Sequence, residues 1–163
     1  MRLFFALWPP PETARALAAW AREAARESGG RAAAEDKIHL TLAFLGEAKP
    51  EKAIAGARRV RGQVHELPVQ KAVYWKHNSI IWAGPQDTPP EMLKLAENLQ
   101  MQLYLQEFIL ERQPFAAHIT LVRKAREPKQ LPELPRVEWP VNEFLLVRSN
   151  AARYEPLERF PMA

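Results

Sequence analysis

The sequence predicts an α+β fold, on three observations. Apolar strand-like runs alternate with helical ones, several runs lie close enough to form antiparallel hairpins, and one short motif occurs twice. The motif reads Ile38-His39-Leu40-Thr41-Leu42 and then Ala117-His118-Ile119-Thr120-Leu121. Each copy sets a histidine and a threonine two apart among aliphatic residues, which is the alternation of a half-buried strand. His39 and Thr41 are thereby expected on one face, with Ile38, Leu40 and Leu42 on the other. In the second copy His118, Thr120 and Val122 are expected to share a face.

Taken in order, residues 2–8 are aromatic and aliphatic, as a buried strand should be. Pro9-Pro10-Pro11 ends that run and suits the first turn of a helix, where a missing N–H costs nothing. An alanine-rich helix is predicted from Glu12 to about Glu27, stopped by Ser28-Gly29-Gly30. The first histidine strand follows over about 37–45 and closes at Gly46. Pro50-Glu51 opens a second helix that the spacing of Ile54, Ala57, Val60 and Val64 carries to Val64. Val69–Trp75 and Ser79–Ala83 form a hairpin about Lys76-His77-Asn78. Thr88-Pro89-Pro90-Glu91 reads as a capping box for a long helix over about 89–106, with Met92, Leu95, Leu99 and Leu103 on one face. Arg112-Gln113-Pro114-Phe115 leads into the second histidine strand, about 116–123. The proline-interrupted stretch 124–140 reads as an irregular connection, and Val141–Arg148 with Arg153–Arg159 as a closing pair of strands. Each histidine strand follows a helix within its own half of the chain, which suggests an internal duplication.

The chain has 163 residues, a length that suits one domain made of two similar halves, and its 47% apolar content allows a sizeable core. It has no cysteine, which excludes disulfides, thiolate nucleophiles and cysteine-type zinc sites and agrees with a reducing cytoplasm. A net charge of +4 and a pI near 9.6 favour polyanionic partners without demanding them. No stretch is long and apolar enough for a membrane span, so no membrane association is expected. The opening Met1–Trp8 lacks the cleavage pattern of a signal peptide. A monomer suffices at this size.

Two imidazoles across a cleft can divide the proton transfers of a hydrolysis. One, protonated, serves the departing oxygen, and the other, neutral, serves the attacking water. Thr41 and Thr120 face the same way and are placed to hydrogen-bond the non-bridging oxygens of a phosphate between them. Arg123 offers a bidentate contact to the same group. Strict alternation aims it away from His118, so it has to reach the site from the end of the strand. The sequence shows no carboxylate cluster that would call for divalent metal. A cyclic phosphodiester, which carries its own ring strain and leaving group, suits acid–base catalysis alone.

His39-Leu40-Thr41-Leu42 and His118-Ile119-Thr120-Leu121 resemble the paired His-x-Thr-x motifs of the two-histidine (2H) phosphoesterases. Within that superfamily the chain is similar to the RNA 2′,3′-cyclic phosphodiesterases, also called 2′-5′ RNA ligases. Arg2-Leu3-Phe4-Phe5-Ala6, the run His39–Gly46 and Arg153-Tyr154-Glu155-Pro156-Leu157 extend the likeness over nearly the whole chain. The resemblance implies one bilobal α+β domain over residues 1–163, with two antiparallel-rich sheets flanking a central groove and helices outside. It implies no cofactor and no metal, and hydrolysis of a terminal 2′,3′-cyclic phosphate on RNA to a 2′-phosphate. His39 would then be the proton donor and His118 the acceptor that activates water, with Thr41, Thr120 and Arg123 binding the substrate. Ala116-Ala117 depart from the family, whose members often place a proline before the second histidine. Other readings keep the fold but act on small cyclic nucleotides or 2′-5′ linkages, including 2′-5′ ligation, or make the chain an idle RNA-binding module.

A lone His-x-Thr on a strand is more often a satisfied polar pair than a catalyst; two copies in matching contexts change that balance. His65, at a helix end, and His77, in a hairpin turn, lack the threonine and read as ordinary surface residues. Trp75, Trp82, Phe44 and Phe4 are candidates to stack a base, although most are expected in the core. Arg15, Arg22, Arg26 and Arg31 read as a solvated helix flank.

Overall fold

A computed structural model describes residues 1–110 and 114–163, so Arg112 and Gln113 of the expected approach to the second motif lie outside the described residues. The strands are β1 (Arg2–Leu7), β2 (Arg31–Ala32), β3 (Leu40–Glu47), β4 (His65–Glu66), β5 (Lys71–Trp75), β6 (Ile80–Gly84), β7 (Ile119–Arg123), β8 (Pro140–Val141), β9 (Glu143–Asn150) and β10 (Arg153–Pro161). The helices are α1 (Pro11–Ser28), α2 (Pro50–Ala57) and α3 (Pro90–Leu105), and a 3₁₀ turn spans Glu35–Lys37. The predicted α+β class holds, and so do the principal strands and helices in their predicted order.

Eight strands form one antiparallel sheet in two halves. The order β10-β9-β1-β3-β7-β6-β5 runs across it, and β2 lies along the far end of β7. Between the halves, β3 meets β7 at one residue pair, Leu40 opposite Ile119. Both side chains are fully buried on the face covered by helices. Helix α1 packs along β2 and β7, while α3 packs on β3 and α2. Each half of the sheet is therefore backed by a helix whose own half of the sequence supplies the other lobe. Leu17, Leu95, Leu99, Phe5, Phe144 and Trp139 share that core.

The opposite face of the sheet is the groove, and two β-bulges decide what it displays. Along β3 the pairing with β1 passes from Ala6↔Thr41 to Phe5↔Ala43, which leaves Leu42 as an extra residue. Along β7 the pairing with β6 passes from Trp82↔Thr120 to Ile81↔Val122, which leaves Leu121 extra. A bulge therefore follows the threonine in both motifs, and each reverses the alternation beyond it. Val122 consequently does not share a face with His118 and Thr120, as strict alternation predicts, but is buried in the core. Phe44 and Arg123, equivalent positions in the two copies, turn to the groove face instead.

Other departures have local causes. The chain beyond Ala57 does not continue as the helix that apolar spacing predicts to Val64. There the Val64 N–H donates to the Ala163 carbonyl at 3.0 Å and the Leu67 N–H to that of Trp139 at 2.9 Å, so long-range partners take the backbone. His65 accordingly sits in β4, paired with β8 and buried, rather than on the surface at a helix end. The Thr88 capping box does not form. Pro89 takes the N-cap position of α3, and its carbonyl accepts from the N–H groups of Met92 and Leu93.

Gly29 ends α1 in the left-handed conformation at φ +71°, its N–H donating to the Ala25 carbonyl. Gly30 then lets β2 press against β7: a Cβ there would lie 2.7 Å from the Arg123 carbonyl oxygen and 2.5 Å from Val122 Cγ1. Gly30→Ala is expected to destabilise the protein by about 1–3 kcal/mol, the usual cost of overpacking, measured by urea unfolding. An unchanged midpoint and slope would show that β2 moves aside freely.

Candidate active site

Burial of Leu40 and Ile119 dictates where the motif histidines point. Side chains alternate along a strand, so the residues flanking that pair turn to the opposite face. Projected one residue in each direction, the antiparallel register sets His39 towards Thr120 and Thr41 towards His118. Each histidine thus faces the threonine of the other copy. All four border one cavity of about 340 Å³, together with Arg31, Lys37, Arg123 and Tyr154. His39 itself stands one residue before β3, and His118 one residue before β7.

Both rings are oriented by the same local device. The Nδ1–H of His39 donates to the Lys37 carbonyl at 2.7 Å, and that of His118 to the Ala116 carbonyl at 2.8 Å. This bond fixes the tautomer and leaves Nε2 as the nitrogen available for chemistry. Nε2 of His39 also lies 3.1 Å from the Thr41 hydroxyl. The Ala116 carbonyl is the one that orients His118, so the missing proline before the second motif does not disturb this contact.

Aromatic rings enclose the two imidazoles. Trp8 stacks on His39 with centroids 4.9 Å apart and planes 12° apart, Phe4 lies at 5.1 Å and Tyr154 meets it edge-on at 5.3 Å. His118 is flanked by Trp75 at 5.0 Å and Trp82 at 6.0 Å. The expectation that most of Trp75, Trp82, Phe44 and Phe4 fill the core is therefore corrected. Pairing registers put all four on the groove face, and none belongs to the helix-backed core. Phe4 is buried there in a smaller cluster with Ala6, Leu145 and Val147. His77 stays exposed in the hairpin turn, as predicted.

The charges at the cavity are all of one sign. Arg31, Lys37 and Arg123 border it, and among the described residues no aspartate or glutamate does. Nor do these three form an ion pair among the described residues. Arg31 stands directly opposite Arg123 across the β2–β7 ladder, an arrangement that costs stability unless an anion lies between the charges. Arg31 is thus not part of a solvated helix flank. Its role went unread because β2 is two residues long and has no periodicity of its own. Trp8, Lys37 and Tyr154 were likewise invisible as site residues, since distant segments bring them to His39. Arg123 does reach the cavity, and the bulge at Leu121 is what turns it there. Among the described residues no cluster of three or more His, Cys, Asp or Glu could hold a metal ion, and no helix is long and apolar enough to cross a membrane.

Burial pushes the His39 imidazole below the ordinary histidine range. The hydrogen bond to Lys37 pulls the other way, and nearby Arg123 and His118 lower it further. These causes all concern the charged ring, so an anion in the cavity restores it.

Comparison with known proteins agrees with this geometry. The family described as LigT like Phosphoesterase matches residues 7–82. Over 99% of its length the chain is 36% identical to a protein of Escherichia coli (strain K12) named RNA 2′,3′-cyclic phosphodiesterase, covering 96% of that protein. A relative of the same name from Thermus thermophilus is 31% identical, with 99% of this chain and 90% of the relative covered. The crystal structure of E. coli LigT complexed with 3′-AMP superposes with a TM-score of 0.91 at 34% identity, covering 99% of this chain and 98% of that one. The crystal structure of a second Thermus thermophilus protein chain superposes at 0.83 with 28% identity, over 99% of this chain and 98% of that one.

The lowered His39 value sets a sign for anion binding. Where the free ring is neutral, binding must take up a proton, so affinity rises as pH falls. Sulfate, whose own charge is constant, is expected to bind more tightly from pH 8 towards pH 5.5. The slope approaches about tenfold per pH unit for one proton taken up. Isothermal titration in buffers of different ionisation heat checks this, and His39→Gln should flatten the slope. An affinity independent of pH in the native protein would contradict the electrostatic picture.

Proposed function

The chain belongs to the LigT-like phosphoesterase family, and from that premise we propose that it hydrolyses RNA 2′,3′-cyclic phosphate ends to 2′-phosphates without metal. One observation carries the reading: two imidazoles with Nδ1 fixed by backbone carbonyls share a cavity whose charged groups are all cationic. The cations compensate the phosphodiester, and the two Nε2 atoms are left for proton transfer.

In this reading Thr41, Thr120 and Arg123 hold the non-bridging oxygens, with Arg31 adding charge. The bound anion raises the depressed His39 value, so that imidazolium forms where it is needed. His39 then gives its proton to O3′ as the P–O3′ bond breaks, while His118 takes a proton from the water that forms the new P–O bond. O2′ keeps its bond to phosphorus, and the product is a 2′-phosphate with a free 3′-hydroxyl. His39 is the more enclosed ring, behind Phe4, Trp8 and Tyr154, which suits a donor shielded from bulk solvent. His118 is the more open, which suits a base that must meet water.

Purified protein in EDTA is expected to open a cyclic-phosphate oligonucleotide and leave only 2′-phosphate. His39→Ala and His118→Ala should each lower kcat by about 10²–10⁴-fold with the fold intact by circular dichroism. Thr41→Val or Thr120→Val should lower kcat/KM by about 10- to 100-fold, as expected for losing a hydrogen bond to a charged group. Product bearing 3′-phosphate, or activity that disappears with EDTA, would reject the assignment.

A further inference from the structure

In-line displacement gives the two histidines unequal surroundings. The attacking water approaches phosphorus opposite the departing O3′, so water lies on the His118 side and O3′ on the His39 side. The ribose carries O3′ and must lie on the His39 side too, and its base with it. Beside His39 the structure has a second cavity, of about 510 Å³. We propose that this cavity is the subsite for the terminal nucleobase, an inference that rests on the phosphodiesterase reading above.

Four features of the cavity fit a planar heterocycle. Trp8 lays one face on His39 and borders the second cavity with the rest of its ring. Tyr154 borders both cavities and so forms the wall between them. The 3₁₀ turn divides in the same way, with Asp36 at the second cavity and Lys37 at the first. Leu145 and Val147, both buried, provide an apolar floor, while Asp36 and Asn142 at the rim supply an acceptor and a mixed donor–acceptor for a base edge. A nucleoside anchored by its phosphate between the histidines therefore needs to pass only Tyr154 to reach an aromatic, polar-rimmed pocket. Trp75 and Trp82 stand against His118 and wall the water side instead.

The test compares kcat/KM for a nucleoside 2′,3′-cyclic phosphate with that for ribose 2′,3′-cyclic phosphate, which has no base. The native protein should prefer the nucleotide by roughly 5- to 150-fold, the range that aromatic stacking of one base supplies. Asn142→Trp fills the exposed rim. It should bring the ratio towards one by raising KM for the nucleotide, with the rate on ribose cyclic phosphate unchanged. Asp36→Ala, which only shortens an exposed side chain, is the second probe and should lower the ratio by a smaller factor. Trp75→Ala should leave the ratio as it is.

A native ratio near one, a ratio that survives both rim variants, or one lost in Trp75→Ala would overturn the proposal. In each of these cases continued hydrolysis of ribose cyclic phosphate leaves the phosphodiesterase reading standing. Failure to hydrolyse either compound would remove that reading and the base subsite together.

Discussion

The pairing of Leu40 with Ile119 is the constraint on which the site depends. It is the rung that joins the two halves of the sheet, and both side chains are buried against the helices. Burying an aliphatic side chain of this size contributes about 1.5–3 kcal/mol, and slipping either strand by one residue would forfeit it. That slip would also carry His39 or His118 into the core. The hydrophobic effect thus holds the polar face in register, although no polar group takes part in the rung itself. Packing of α1 on β2 and β7, and of α3 on β3, ties both halves to the same core.

Upon that register the site concentrates positive charge inside aromatic walls. Arg31 and Arg123 face each other across two strands, and Lys37 stands over the Tyr154 ring at 5.7 Å. Such an arrangement costs folding free energy and is compensated when an anion binds. The rings around His39 exclude water, which strengthens every charge–charge interaction at the cavity and lowers the affinity of that imidazole for its proton. Stability and anion affinity therefore pull in opposite directions at one place, as expected of a functional site.

The two copies of the motif are related by more than their residues. In both, Nδ1 of the histidine donates to the carbonyl two residues earlier, and in both a bulge follows the threonine. The position turned to the groove by the bulge is Phe44 in one copy and Arg123 in the other. A common scaffold thus presents an apolar ring on one side and a guanidinium on the other. The two halves have diverged in chemistry while keeping their geometry.

The α+β class, the helices and principal strands and the two His-x-Thr pairs were legible in the sequence, because each rests on local periodicity or on a motif read residue by residue. His39, Thr41, His118 and Thr120 needed no knowledge of distant contacts to be singled out. Arg31, Lys37, Trp8 and Tyr154 did need it: no spacing along the chain brings β2, the 3₁₀ turn, the end of β1 and β10 to one cavity. The same holds for the facing of Val122 and Arg123, which a bulge sets against the alternation, and for His65, which long-range backbone pairing draws into the interior. The sequence by itself determined which groups carry the proton chemistry. The tertiary structure decided what surrounds them, because burial, charge and the shape of a cavity arise from segments that meet only when the chain is folded.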